Sequence, residues 1–198
     1  MHLFFSTPIW VSKIDNHENL NVDILSYITD LKNKDSKGIV KSNFNGWHSK
    51  NFNLKDNIPA KFITSIGKNI NTALNDMGWD LKSQFIKITN MWSIINEEGA
   101  FNQKHHHSNS DISAAYYVSA YDGCGDIVFY DPRPARVYKN PISKLPNKLN
   151  ATINSVKPEN GLLVLFPSYL EHSVNPNLSN KKRVVISLSL IHISEPTR

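Results

Sequence analysis

The spacing of apolar positions changes near residue 84. Before that point it is helical. LNVDILSYITDLKNKD sets Leu20, Ile24, Leu25, Ile28 and Leu31 on one stripe, and IPAKFITSIGKNINTALNDMGWD does the same with Phe62, Ile63, Ile66, Ile70, Leu74 and Met77. Pro59 suits a first helical turn and Gly78 a helix end. Between the stripes, SKGIVKSNFNGWHSKNFNL is rich in Asn, Ser and Gly. It predicts a loop able to border a pocket around Asn45–Asn53, with Trp47 as a packing anchor and His48 and Asn51 facing the entrance.

From residue 84 the segments are short and strand-like: FIKITNMWSII, ISAAYYVSA, DIVFYDPR, ARVYK, ATINSV, GLLVLFP and RVVISLSL. Gly, Pro, Asn and Asp separate them. The opening MHLFFSTPIWVSKI has an apolar run with no basic segment before it, and predicts a first strand, not a signal peptide. The pattern as a whole predicts a mainly β fold with N-terminal helices, a double-stranded β-helix of the jelly-roll, cupin-like kind. One domain is expected over 1–187, with its helices near 20–80. The tail from 188 to 198 is set apart, because SLIHISEPTR resembles a translated sequencing-adapter read-through; His192 and Glu195 then carry no functional weight.

Composition narrows this little. The chain has 198 residues, enough for one substantial core, and no apolar run long enough to span a bilayer. The net charge of +5 comes without a basic block, so no nucleic-acid motif stands out and only a slight preference for an anionic or macromolecular partner follows. The one cysteine, Cys124, sits in the turn-like YDGCGD and excludes an internal disulfide. Cytoplasm, of a bacterium or of a phage-infected host, is the expected compartment.

The chemistry concentrates in three histidines and an arginine. His105 and His107 are two apart, so an extended chain turns both to one side and His106 to the other. His172 follows the strand-like GLLVLFP, and Arg183 opens the next strand. Three imidazoles could form one face of a metal site, and an arginine could grip an acidic cosubstrate with two parallel hydrogen bonds. Such a set points to non-haem iron and 2-oxoglutarate. A carboxylate would be the usual third ligand, two residues after the first histidine, where this chain has His107. Asp111 is the nearest acid downstream and approaches only if Ser108–Ser110 turn sharply; His107 is the favoured ligand. Asp131, before Pro132, suits a turn cap. Alternation lets one of Tyr116 and Tyr117 reach the pocket, with Tyr116 preferred, and Ser187 shares the strand face of Arg183.

These motifs carry a family resemblance. LFFSTPIW, GWHS, WSIIN, HHHSNSDISAAYYV, IVFYDPR, LFPSYLEHSVNPN and RVVIS together resemble the small 2-oxoglutarate-Fe(II) oxygenase family of phages and marine bacteria, over nearly the whole chain. Ala114 stands where that family's strand usually has Gly. The resemblance implies metal ligation by His105, His107 and His172, with Arg183 in the 2-oxoglutarate position. It also implies Fe(II), 2-oxoglutarate and oxygen as reactants, ascorbate as a supporting reductant, succinate and CO2 as products, and an unidentified substrate. Two other readings remain: a cupin-like dioxygenase that needs no 2-oxoglutarate, and a viral binding or structural module without turnover.

Overall fold

The computed structural model describes residue 2 and residues 4–133, 142–145, 147 and 149–194. Two antiparallel sheets face each other, and two helices cover the outside of the larger one. In chain order the elements are β1 (Trp10–Lys13), α1 (His17–Lys34), β2 (Asn43–Phe44), β3 (Trp47–His48), α2 (Asn57–Asp76), β4 (Gln84–Asn96), β5 (Phe101–His105), β6 (Ile112–Ser119), β7 (Ile127–Tyr130), β8 (Ile153–Val156), β9 (Leu162–Pro167), β10 (His172–Val174) and β11 (Arg183–Ser194). The larger sheet runs β1-β9-β6-β11-β4-β3 and the smaller β2-β5-β10-β7-β8. This is the jelly-roll, and the two helical stripes fall where the periodicity set them.

The large sheet is apolar on both faces, and strict alternation divides them. Ala114, Tyr116 and Val118 of β6, with Val184, Ile186, Leu188 and Leu190 of β11, pack against Leu20, Ile24 and Ile28 of α1 and Phe62, Ile66 and Ile70 of α2. The residues between them, Ala115, Tyr117 and Val185, face the other sheet with Val164, Phe166 and Phe129. Residues i and i+2 share a face, so each strand serves two compartments at once. One polar bridge ties the helix layer down. Asn21 Nδ2 donates to the Val118 carbonyl at 2.9 Å, and the Tyr116 hydroxyl donates to Asn21 Oδ1 at 2.6 Å.

Some expectations shift. The first strand begins only at Trp10, because Pro8 lacks the N–H that a ladder needs. The short polar β5 is an added strand, held in the sheet by its neighbours more than by its own sequence. The expected strand ARVYK lies outside the described residues. Residues 188–194 run on in β11, paired with β4 as far as Ser194↔Gln84; 195–198 lie outside the described residues.

Gly125 sits where two loops meet. Its φ is +90°, and a Cβ there would lie 2.1 Å from the Asn175 carbonyl oxygen. Gly123 also has a positive φ, +75°, but nothing lies within 4 Å of its Cβ position. Gly125→Ala is therefore expected to cost about 3 kcal/mol, from backbone strain and the clash together. For a chain of this size that lowers Tm by roughly 6–12 °C. Gly123→Ala should cost about 1 kcal/mol, from the left-handed backbone alone. Urea unfolding of both variants checks the difference; equal losses would mean that contact with Asn175 is not what constrains Gly125.

Candidate metal centre and cosubstrate pocket

Backbone pairing brings the first two histidines together. His105 ends β5, His172 begins β10, and the two are direct partners in the small sheet. His107 lies just past the strand, where its N–H donates to the Ser168 carbonyl at 3.0 Å. The extended course thus continues beyond β5 by a tie to the turn before β10. The nitrogens that the three rings offer all lie within 4.8 Å of one another. Ring centroids are 4.3 Å apart for His105–His172 and 5.1 Å for both pairs with His107.

Two of the rings are oriented by backbone carbonyls. His105 Nδ1 lies 2.7 Å from the Gln103 carbonyl oxygen, and His172 Nδ1 2.9 Å from that of Leu170. A carbonyl only accepts, so Nδ1 carries the hydrogen and the lone pair stands on Nε2. Burial lowers all three pKa values, to about 4 for His107 and about 3 for His172, with mutual repulsion adding to the effect. Neutral, oriented imidazoles that would repel one another as cations are suited to a divalent ion.

Asp111 is elsewhere. Its carboxylate accepts from the His192 N–H at 2.7 Å and lies 2.9 Å from His192 Nδ1, on the far side of the turn from the triad. Asp131 accepts from the Arg133 N–H at 3.0 Å and pairs with its guanidinium, in keeping with a turn cap.

A cavity of about 570 Å³ runs from the histidines between the sheets. Arg183, Val185, Ser187 and Ser189 of β11 line it, the odd-numbered face of that strand. Arg183 is 2% exposed. Its Nη1 donates to the carbonyls of Cys124 at 2.6 Å, Gly125 at 2.8 Å and Asn175 at 3.4 Å. No carboxylate among the described residues pairs with it. Burial lowers its pKa, but a guanidinium starts so high that it stays charged. A buried cation held only by dipoles is incomplete without an anion.

The preference for Tyr116 is corrected. Its ring packs on Phe62, at 4.8 Å between centroids, and its hydroxyl is tied to Asn21, so it belongs to the helix side. Tyr117 lines the cavity, fully buried, with its phenol pKa pushed up by desolvation. The parity that makes Ala114 and Tyr116 core residues sends Tyr117 inward. Trp47 also turns to the helix side, where its Nε1 donates to the Asp35 carbonyl at 2.8 Å. Its neighbour His48 lines the cavity mouth with Asn51, as the loop's composition led one to expect.

Trp92 and Asn90 also line the cavity, and neither was singled out in the sequence. Trp92 stacks on His48, with centroids 5.7 Å apart and planes within 9°, and lies 5.8 Å from His107. The signal was available: Asn90, Trp92 and Ile94 alternate with Met91, Ser93 and Ile95 along β4.

Comparison with known proteins bears on this geometry. The fold is similar to a Pseudomonas putida prolyl-4-hydroxylase, at 12% identity and TM-score 0.63, covering 93% of this chain and 92% of that one. It is also similar to the epimerase SnoN of nogalamycin biosynthesis, solved with Fe3+, alpha-ketoglutarate and nogalamycin RO, at 10% identity and TM-score 0.69, covering 96% and 82%. HygX from Streptomyces hygroscopicus, with nickel, 2-oxoglutarate and hygromycin B bound, matches at 10% identity and TM-score 0.65, covering 93% and 83%. Comparison with curated protein sequences gives no match. The family model described as "Putative 2OG-Fe(II) oxygenase" matches residues 90–189. That span runs from the cavity face of β4 to that of β11, takes in all three histidines and Arg183, and covers half of the chain: the protein belongs to the 2-oxoglutarate-Fe(II) oxygenase family.

Proposed function

We propose that His105, His107 and His172 hold iron(II) through ring nitrogens, and that Arg183 receives the C5 carboxylate of 2-oxoglutarate. The protein is an oxygenase that uses Fe(II) and 2-oxoglutarate, releases succinate and CO2 and hydroxylates a substrate not yet identified. One observation carries the residue assignment. A buried arginine without a carboxylate partner among the described residues opens on the same cavity as three imidazoles kept neutral by burial, two of them oriented by backbone carbonyls. Bound iron(II) supplies oxygen activation, coupled to loss of CO2 from the cosubstrate.

The chain's own residues set the geometry. The carbonyls of Cys124, Gly125 and Asn175 fix one end of the Arg183 guanidinium and leave its other donors for the cosubstrate. Tyr117, kept neutral by burial, is a hydroxyl donor beside it, and Ser187 is a further contact on the same strand face. Val185, Phe166 and Ile127 give the inner walls an apolar lining that limits water. A dioxygenase that needs no 2-oxoglutarate leaves the buried charge of Arg183 unanswered. A non-catalytic module would fill the cavity with side chains and turn Arg183 outward, whereas here the cavity is open and Arg183 buried. Among the described residues no helix is long and apolar enough to cross a membrane. The cytoplasm, of a bacterium or an infected host, is the compartment that best supplies reduced iron and 2-oxoglutarate.

Anaerobic Fe(II) titration tests the ligand set. His107→Ala should weaken binding by at least about 10-fold, and Asp111→Asn should leave it within about 2-fold. Strong loss in the Asp111 variant alone would replace the three-histidine site with a carboxylate one.

Cosubstrate binding, followed by calorimetry with the metal in place, tests the other end. Arg183→Ala should raise the Kd of 2-oxoglutarate by about 10–100-fold while iron stays bound. Arg183→Lys, which keeps the charge, should lose less and guards against a folding defect, with Tm as the control. Unchanged affinity in both would remove Arg183 from the site.

The two tyrosines should separate. Tyr117→Phe is expected to raise the 2-oxoglutarate Kd a few-fold, about the worth of one hydrogen bond. Tyr116→Phe should leave that Kd unchanged and lower stability by about 1 kcal/mol, through its lost bond to Asn21. The reverse pattern would put Tyr116 in the pocket.

A further inference from the structure

The cavity carries more positive charge than its reactants neutralise. Among the described residues no Asp or Glu lines it. Its cationic side chains are Lys41, Lys104 and Arg183. Lys104 is matched by Glu171 at 2.6 Å. Lys41 has no ion pair among the described residues, yet lies close enough for its charge to act on His48 and His107. Three imidazoles bring no negative charge to iron(II), where a carboxylate ligand would bring one. With the C5 carboxylate of 2-oxoglutarate on Arg183, its other carboxylate offsets only half of the iron's charge, and the rest of that charge and the ammonium of Lys41 remain uncompensated.

Lys41 shares the cavity with an aromatic wall. Trp92 Nε1 is sealed from solvent and has no acceptor among the described residues, so Trp92 meets a ligand with its ring and not its N–H. Its ring lines the cavity, stacked on His48 and close to His107. The face of an aromatic ring is electron-rich and draws no anion, so a charged group is left to Lys41. The mouth thus offers a free ammonium, with no acid to repel an incoming anion.

We propose that the substrate carries an anionic group, a carboxylate or a phosphate, held at the cavity mouth by Lys41. This rests on the oxygenase reading of the same cavity. The anion supplies the negative charge that the ligand set lacks. The stacked faces of His48 and Trp92 form a flat wall beside the triad, along which the rest of the substrate lies. Lys41 is positioned from its backbone, whose N–H donates to Asn43 Oδ1 at 2.8 Å, while the adjacent Ser42 carbonyl accepts from the Gln103 N–H on β5 at 2.8 Å. Lys41 is exposed, and among the described residues its ammonium makes no hydrogen bond or ion pair, so replacing it should leave the core intact.

The test isolates the head group. Protein loaded with Zn(II), a redox-inert stand-in for iron, and saturated with 2-oxoglutarate is titrated with hexyl phosphate, hexanoate and hexanamide by ligand-observed NMR. At least one acid should bind about 5-fold more tightly than the amide, the scale of one partly exposed ion pair. Lys41→Gln should erase that preference and leave the 2-oxoglutarate Kd unchanged. The order of the two acids distinguishes a phosphate-bearing from a carboxylate-bearing substrate. Equal binding of acid and amide, a preference that survives Lys41→Gln, or no binding of either acid would overturn the proposal. Absence of metal-dependent 2-oxoglutarate binding in the same samples would overturn the residue assignment itself, a result distinct from these.

Discussion

Everything at the centre depends on one backbone register, the pairing of His172 with His105 between β10 and β5. Side chains directly opposite in an antiparallel ladder stand on the same face, a few ångströms apart. Two of the three imidazoles therefore meet by strand geometry alone. A slip of one residue would send either ring to the opposite face. The third is carried there by the tie from His107 N–H to Ser168, across the turn that leads into β10. The two connections share the Ser168–His172 segment, so the centre is braced from the backbone rather than by a network of side chains.

Much of this was legible in the chain. Period fixed the helices and most strands, because each element buries one stripe or one face. The three histidines and Arg183 were legible because polar residues in strand-forming, apolar segments need a reason to be there. What escaped was local. Tyr116 and Tyr117 differ only in parity, and the turn through Ser108–Ser110 hid which parity faces inward until the register of β6 with β11 was known. Trp92 was hidden by its own apolarity, since an indole inside a strand is ordinary core material until its N–H lacks an acceptor. β5 was short and polar, and only its partners make it a strand.

An all-imidazole site changes the electrostatics beyond the metal. A carboxylate ligand would cancel part of the ion's charge within the first ring of contacts. With iron held as proposed, that charge would be felt further out, in a cavity whose lining holds no acid among the described residues. The carbonyl clasp on Arg183 has the same character, since it directs a cation without neutralising it. The protein holds its positive groups with dipoles and leaves their charge to its ligands. In the low dielectric between the sheets such charges act at longer range than they would in water.

The two-faced sheet has a consequence for how this protein can change over time. Along β6 and β11 adjacent residues answer to different demands, one to the packing of the helices and the next to the reacting molecules. Inheritance can therefore work on the two almost as if they were separate genes interleaved letter by letter. Drift at Ala115, Val185 or Ser189 reshapes what the enzyme accepts while the helix seam stays shut. Drift at Ile186 or Leu188 adjusts durability while the selectivity of the chamber stays as it was.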